Sequence, residues 1–326
     1  MRKIQRVLLT GATGFVGSHL YPVLERAGFE VRGATRDVAQ ASKRFVGREF
    51  VYIDTSARGS VAQAMRGCDA AIYLVHSMAQ AANDFDDVER HAATWFASAA
   101  HEAGLQRIVY LGGIRPQGVP SRHLQSRLQT GENLRAGPVP TIELQASMII
   151  GAGSGSFRIV RDLAARLPAM LLPTWLDSRT EPVALDDVTA AIARALTIEH
   201  ETSAAYPLPG PDRLTCREIL ERTARALGHE PRMWGVPFVS PHLSSYWIAL
   251  VTRADARIAR QLVEGLRSDL IAADEGFWRL FPEHERVSFN EALRRALPEE
   301  QRGLSSRARL VEYVLHMVTP HSKRAT

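Results

Sequence analysis

The chain has 326 residues, 45% hydrophobic and 23% charged, enough to bury a large core of ordinary composition. Its formal charge of +5 is a mild excess of 40 basic over 35 acidic residues, and no basic stripe with interleaved aromatics points to nucleic acid. The 2 cysteines, Cys68 and Cys216, lack metal-type spacing, and no apolar run is long enough for a signal core or a membrane span, so a cytoplasmic protein with reduced thiols is expected.

Strand and helix patterns alternate from the start. A short apolar strand at 7–9 runs into Thr10-Gly-Ala-Thr-Gly-Phe-Val-Gly17, and helical spacing follows over 18–27. Strands are predicted at 30–35, 50–53, 70–75, 107–111 and 141–146, with helices at 60–65, 87–103 and 124–135 between them. Alternation of this kind builds a parallel sheet wrapped on both faces, a doubly wound Rossmann α/β fold. The regularity loosens after Ile150. A flexible turn at 151–156 leads to a helix over 157–166, then to an irregular stretch at 167–180 containing Trp175 and Arg179. A short strand at 182–185 precedes a helix over 187–197 with Asp186 as its N-cap. Further helices are read at 216–227, 244–252, 255–266 and 290–296, and 304–326 reads as a frayed tail. The organisation that follows is a dinucleotide-binding domain over 1–150 with 181–200 returning to it. A smaller, mostly helical substrate lobe takes 151–180 and 201–300, and 301–326 is the tail. The apolar patch 246–251 reads as core or as cleft wall.

The turn at 10–17 carries the chemistry. Gly11 permits a tight turn, Gly14 lets backbone approach a pyrophosphate, and Gly17 lets the helix sit close to the sheet, while Thr13, Phe15 and Val16 complete the loop. Amide groups at the helix start then face the phosphates. At the end of the second strand, Arg36 suits a ribose 2′-phosphate and thus NADP, with NAD the alternative. Asp37 is the competing choice if the strand ends one residue later. Asp54 and Thr55 either edge the adenine or form a plain turn. Leu74, Val75 and His76 end the fourth strand where ligands of such sheets gather, and His76 either lines the nicotinamide pocket or caps the strand.

These residues resemble the short-chain dehydrogenase/reductase superfamily in its extended or atypical branch. Tyr73-Leu-Val-His-Ser-Met78, Val109-Tyr-Leu-Gly-Gly-Ile114, Pro182-Val-Ala-Leu-Asp-Asp-Val188 and Tyr206-Pro-Leu-Pro-Gly-Pro211 fall at its expected places. His76-Ser-Met78 together with Ser126-Arg-Leu-Gln-Thr-Gly-Glu132 is similar to a bacterial subgroup described as nucleoside-diphosphate-sugar epimerase-like or NmrA-like. Members of that subgroup often carry a further C-terminal domain, which is not expected here. The resemblance implies NAD(P) binding, with Gly112, Gly113, Arg127 and Met148 beside the nicotinamide end. It also implies a Tyr-x-x-x-Lys pair and a serine, but this chain has His123, Arg127 and Gly112 or Gly113 at those positions. Ordinary proton relay through tyrosine is therefore in doubt. Either His123 is a substitute acid/base near its natural pKa, with Arg127 on the ribose or an anionic substrate, or His123 is a solvated loop residue and the site is inactive. Glu132 reads as a structural partner. The 11 histidines form no metal-type pattern. Two functions remain open: an NADP(H)-dependent oxidoreductase or epimerase-like enzyme on an unknown small molecule, and a non-catalytic NADP(H) sensor or assembly scaffold acting through a protein partner or homo-oligomer.

Overall fold

The computed structural model describes residues 3–75, 85–166, 169–173, 177–228, 230, 232–236 and 268–303. Its first strand, β1 (Arg6–Thr10), is buried along nearly all its length, as a strand covered on both faces must be. β1 is an interior strand of a parallel sheet, with β2 (Glu30–Thr35) and β3 (Glu49–Tyr52) to one side. On the other side lie β4 (Ala70–Tyr73), β5 (Arg107–Gly113) and β6 (Thr141–Ala146). The helices α1 (Phe15–Arg26), α2 (Val38–Arg44), α3 (Arg58–Met65), α4 (Phe85–Glu102) and α5 (Arg122–Arg135) alternate with these strands. Successive residues of β1 feed two cores, Val7 and Leu9 on one face and Leu8 on the other, so the strand shows no polar side. The doubly wound fold expected from the sequence is the one observed.

The second half departs from expectation in three places. Ala204–Pro207, placed in the smaller lobe by its sequence, pairs in parallel with β6 and completes a seven-stranded sheet. Val183–Ala184 pairs with β7 (Ile149–Ile150), and the following helix begins at Leu185 with Ala184 as its cap, not Asp186. Asp186 and Asp187 lie instead in the first turn, where the helix dipole favours them, and Asp187 accepts hydrogen bonds from His284 and the Val287 amide. The stretch that reads as irregular contains a strand, Ala169–Pro173, because Arg232–Val236 lies parallel beside it; neither partner is visible as a pair from local sequence.

In chain order these are β8 (Ala169–Pro173), β9 (Arg179–Thr180), β10 (Val183–Ala184), α7 (Leu185–Ala195), β11 (Ala204–Pro207), β12 (Leu214–Thr215), α8 (Cys216–Ala226) and β13 (Arg232–Val236), after α6 (Gly155–Arg166) and before α9 (Phe289–Arg302). A separate apolar cluster gathers Met148, Ile150 and Phe157 with Leu214, Ile219, Phe289 and Leu293, so α6, α8 and α9 form a core beyond the C-terminal end of the sheet. Arg107, fully buried, donates through its Nη atoms to the carbonyls of Ala195, the last residue of α7, and of Ile198 and His200 beyond it. Cys68 and Cys216 are both free and buried. Among the described residues no helix is long and apolar enough to cross a membrane. The helices read at 244–252 and 255–266, the patch 246–251 and the tail from 304 lie outside the described residues.

Candidate functional site

The turn after β1 is built by steric necessity. Gly11 takes φ +63, and a Cβ there would stand 3.0 Å from the Leu74 carbonyl oxygen. The Gly14 amide donates to the Gly11 carbonyl at 2.9 Å, which closes the turn. Gly17 is the tightest position: a Cβ would lie 2.2 Å from the Gly11 oxygen, so α1 reaches this close only with glycine there. Gly14 caps α1 without any side-chain acceptor, and the first turn holds no acidic residue. The Phe15, Val16 and Gly17 amides, at the positive end of the helix, thus have no acceptor among the described residues. Thr10 ties the end of β1 to β4, donating to the Ile72 carbonyl and accepting from the Leu74 amide, both at 3.0 Å. Thr13, Leu74 and Val75 lie partly buried around this crevice edge. His76 lies outside the described residues, as does Trp175.

At the end of β2 the two competing residues have different occupations. Asp37 is the N-cap of α2 and accepts from the Gln40 amide at 2.9 Å. Arg36 is exposed, and its guanidinium makes no hydrogen bond among the described residues. Asp54 accepts from the Ser56 amide at 2.9 Å and from its hydroxyl at 2.6 Å. Those bonds, with a smaller contribution from the Arg36 charge, hold its carboxyl below the ordinary range. Asp54 therefore shapes the turn after β3, with Thr55 partly buried next to it.

The second cluster lies where β5 ends against α5. Ser121 caps the helix, so His123 and Arg127, four residues apart, share one face. The structure separates the two glycines that stand in for serine. A Cβ on Gly113 would come 2.5 Å from Leu124 Cδ1 and 3.7 Å from Arg127 Nε, which makes Gly113 the residue facing this cluster. A Cβ on Gly112 would instead strike Glu143 Oε1 at 2.6 Å. Arg127 donates through Nη2 to the Leu111 carbonyl at 3.2 Å, and its buried Nε has no partner among the described residues. Burial, and secondarily the Arg127 charge, push the His123 imidazole down to about 4. This corrects the expectation of a near-natural pKa: His123 is neutral at physiological pH, able to hold a hydrogen bond but not to donate a proton as imidazolium. Glu132 pairs with Arg115 at 2.9 Å on the surface, the structural role expected of it.

Glu143 is absent from the sequence-derived candidates, although a glutamate in the interior of the strand read at 141–146 is a visible signal. Its carboxylate is buried against Gly131 of α5, where a Cβ would lie 2.5 Å away, and accepts from Arg135 Nε at 2.8 Å and Gln145 Nε2 at 3.1 Å. Burial outweighs both partners and raises its pKa. The effect is to clamp α5, with His123 and Arg127, onto the sheet. Met148 is buried in the separate core beyond the sheet. Arg179 is exposed and its backbone amide donates to Asp269 at 2.8 Å. No cluster of histidine, cysteine or acidic residues among the described residues could hold a metal ion.

Residues 7–142 match the NAD dependent epimerase/dehydratase family, which bears out the resemblance read from the glycine spacing. The chain is 26% identical over 241 residues to a ceramide reductase of Caulobacter vibrioides, covering 71% of this chain and 73% of that one. It is 28% identical over 234 residues to a (4-alkanoyl-5-oxo-2,5-dihydrofuran-3-yl)methyl phosphate reductase of Streptomyces griseus, covering 69% and 75%. Its fold is similar to that of Citrobacter sp. triphenylmethane reductase complexed with NADP(H), with a TM-score of 0.70 at 17% identity over 89% of this chain and 99% of that one.

Proposed function

Starting from a chain whose residues 7–142 match the NAD dependent epimerase/dehydratase family, we propose an NADP(H)-dependent reductase that acts on a polarised double bond, a carbonyl or a quinone, held beside Arg127 and His123. The observation that carries this reading is the glycine-walled turn under a helix start with no side-chain cap and no acidic residue, with the exposed Arg36 at the end of β2. The reductase names of the curated relatives support the direction of the chemistry.

In this reading the amides of Phe15, Val16 and Gly17 hold the pyrophosphate, and Arg36 grips the 2′-phosphate with its planar fork. Asp54, Thr55, Leu74 and Val75 border the adenosine. The bound dinucleotide would supply the hydride. Arg127 turns its uncommitted donors toward the oxyanion that develops on the substrate, and neutral His123 orients the same oxygen by a hydrogen bond. No tyrosine delivers the proton, so solvent does. Two buried unpaired thiols fit a reducing, cytoplasmic setting.

The second reading, an NADP(H)-sensing regulator or assembly scaffold, is favoured by Leu124, whose methyl group occupies the space over Gly113 that a serine would use. Turnover separates the two. NADPH consumption with quinones or aldehydes that Arg127→Ala removes supports the reductase; binding of NADPH with no turnover of any such substrate supports the sensor.

A further inference from the structure

The Phe15 ring, at the first position of α1, rests on the turn that follows β7. A Cβ at Gly151 would stand 3.2 Å from Phe15 Cζ, and one at Gly153 would stand 3.5 Å from Phe15 Cδ2. Gly153 takes φ +91, a conformation open to glycine. Its amide donates to Glu300 Oε1 at 2.6 Å, across 147 residues of sequence. Glu300 belongs to the last turn of α9 and is 6% exposed. The neighbouring cation, Arg158 Nη2, is 3.7 Å away, beyond hydrogen-bond distance. A carboxylate so deeply buried is stabilised chiefly by donors within bonding distance, which makes the bond to the turn its main commitment.

We propose that Glu300 is a positioning residue for the dinucleotide. By fixing the 151–154 turn against Phe15 it keeps the first turn of α1 in shape, so α9 governs how long the nucleotide stays bound. This rests on the reading that the turn at 11–17 carries NADP(H). No contact between Glu300 and the nucleotide is involved: the force passes from the carboxylate to the Gly153 amide, from the turn to the Phe15 ring, and from that ring to the amides beside it. Releasing the turn removes the backing of Phe15 and lets those amides lose their common direction.

The test uses the full chain with E300A, E300D and E300Q, each followed by NADPH fluorescence titration, dissociation kinetics and an unfolding midpoint. E300A removes the acceptor, and E300D keeps the charge but falls short of the amide. E300Q keeps a carbonyl acceptor in place without the charge. Losing one hydrogen bond of this kind should weaken NADPH binding about three- to tenfold in E300A and E300D, mainly through faster dissociation. E300Q should stay within about twofold of the parent, because its amide oxygen can accept from Gly153. Unchanged affinity in E300A and E300D overturns the proposal. So does equal loss in E300Q, which would assign the effect to charge and Arg158. If E300A does not fold, E300D against E300Q decides the matter. Failure of the parent chain to bind NADPH overturns the underlying reading instead.

Discussion

Gly17→Ala sets two effects of opposite sign against each other. Alanine is the better helix former by about 1 kcal/mol, so a helix position free of other duties would gain stability. At Gly17 the new methyl carbon would lie 2.2 Å from the Gly11 oxygen and 2.9 Å from Ala12 Cα, both backbone atoms that cannot swing aside. Relief requires α1 to retreat from the turn by about 1 Å, an overpacking cost of about 1–3 kcal/mol. Stability should therefore stay level or fall. Cofactor affinity should suffer more, because amide–phosphate bonds near about 2.9 Å do not survive a displacement of about 1 Å. Loss of two charge-assisted bonds at about 1.5–3 kcal/mol each weakens NADPH binding by about a hundredfold or more. Gly59→Ala provides the control: it lies in α3, nothing stands within 4 Å of its Cβ position, and it should gain about 0.5–1 kcal/mol with binding unchanged. Urea unfolding and NADPH fluorescence titration read both quantities. A Gly17→Ala protein that is stabilised like Gly59→Ala and still binds NADPH normally refutes the reasoning.

Other outcomes follow from the same site. Arg36→Ala should raise the NADPH dissociation constant about ten- to a hundredfold and leave NADH nearly unaffected; titration with both nucleotides checks it, and equal losses would remove Arg36 from the phosphate. Because the folded pKa of His123, about 4, lies below its unfolded value near 6.5, its neutral form contributes stability above pH 6.5 that is lost as pH falls toward 4. His123→Gln should accordingly lose less thermal stability than the parent between about pH 7 and pH 4.5, whereas parallel curves would mean an unperturbed imidazole. Arg127→Ala should lower kcat about a hundred- to a thousandfold with little change in NADPH affinity; a variant that turns over normally would place the oxyanion elsewhere.

The sheet and its binding turn were legible because they are written locally. Continuous apolar runs at 70–73 and 108–111 announce strands buried on both faces, and the spacing of Gly11, Gly14 and Gly17 follows from contacts within one strand-turn-helix unit. What pairs across long separations was not. β11 joins β6 from more than fifty residues away, and β8 is a strand only because β13 lies beside it. The Asp186 cap failed because Asp187 is recruited by His284 and Val287, a tertiary demand that local capping rules do not contain. At the second cluster the residue identities were readable but their electrostatics were not. The low pKa of His123 comes from its burial beside Arg127, and whether serine would have stood at Gly112 or Gly113 is decided by Glu143 on the neighbouring strand.

Isothermal titration of the purified chain with NADPH, NADH and their oxidised forms tests the central claim most directly. The account predicts one site per chain, with the phosphorylated nucleotides bound at least about tenfold more tightly than their counterparts. Absence of heat with all of them would contradict it, because the amides uncovered at the start of α1 would then have no diphosphate to hold.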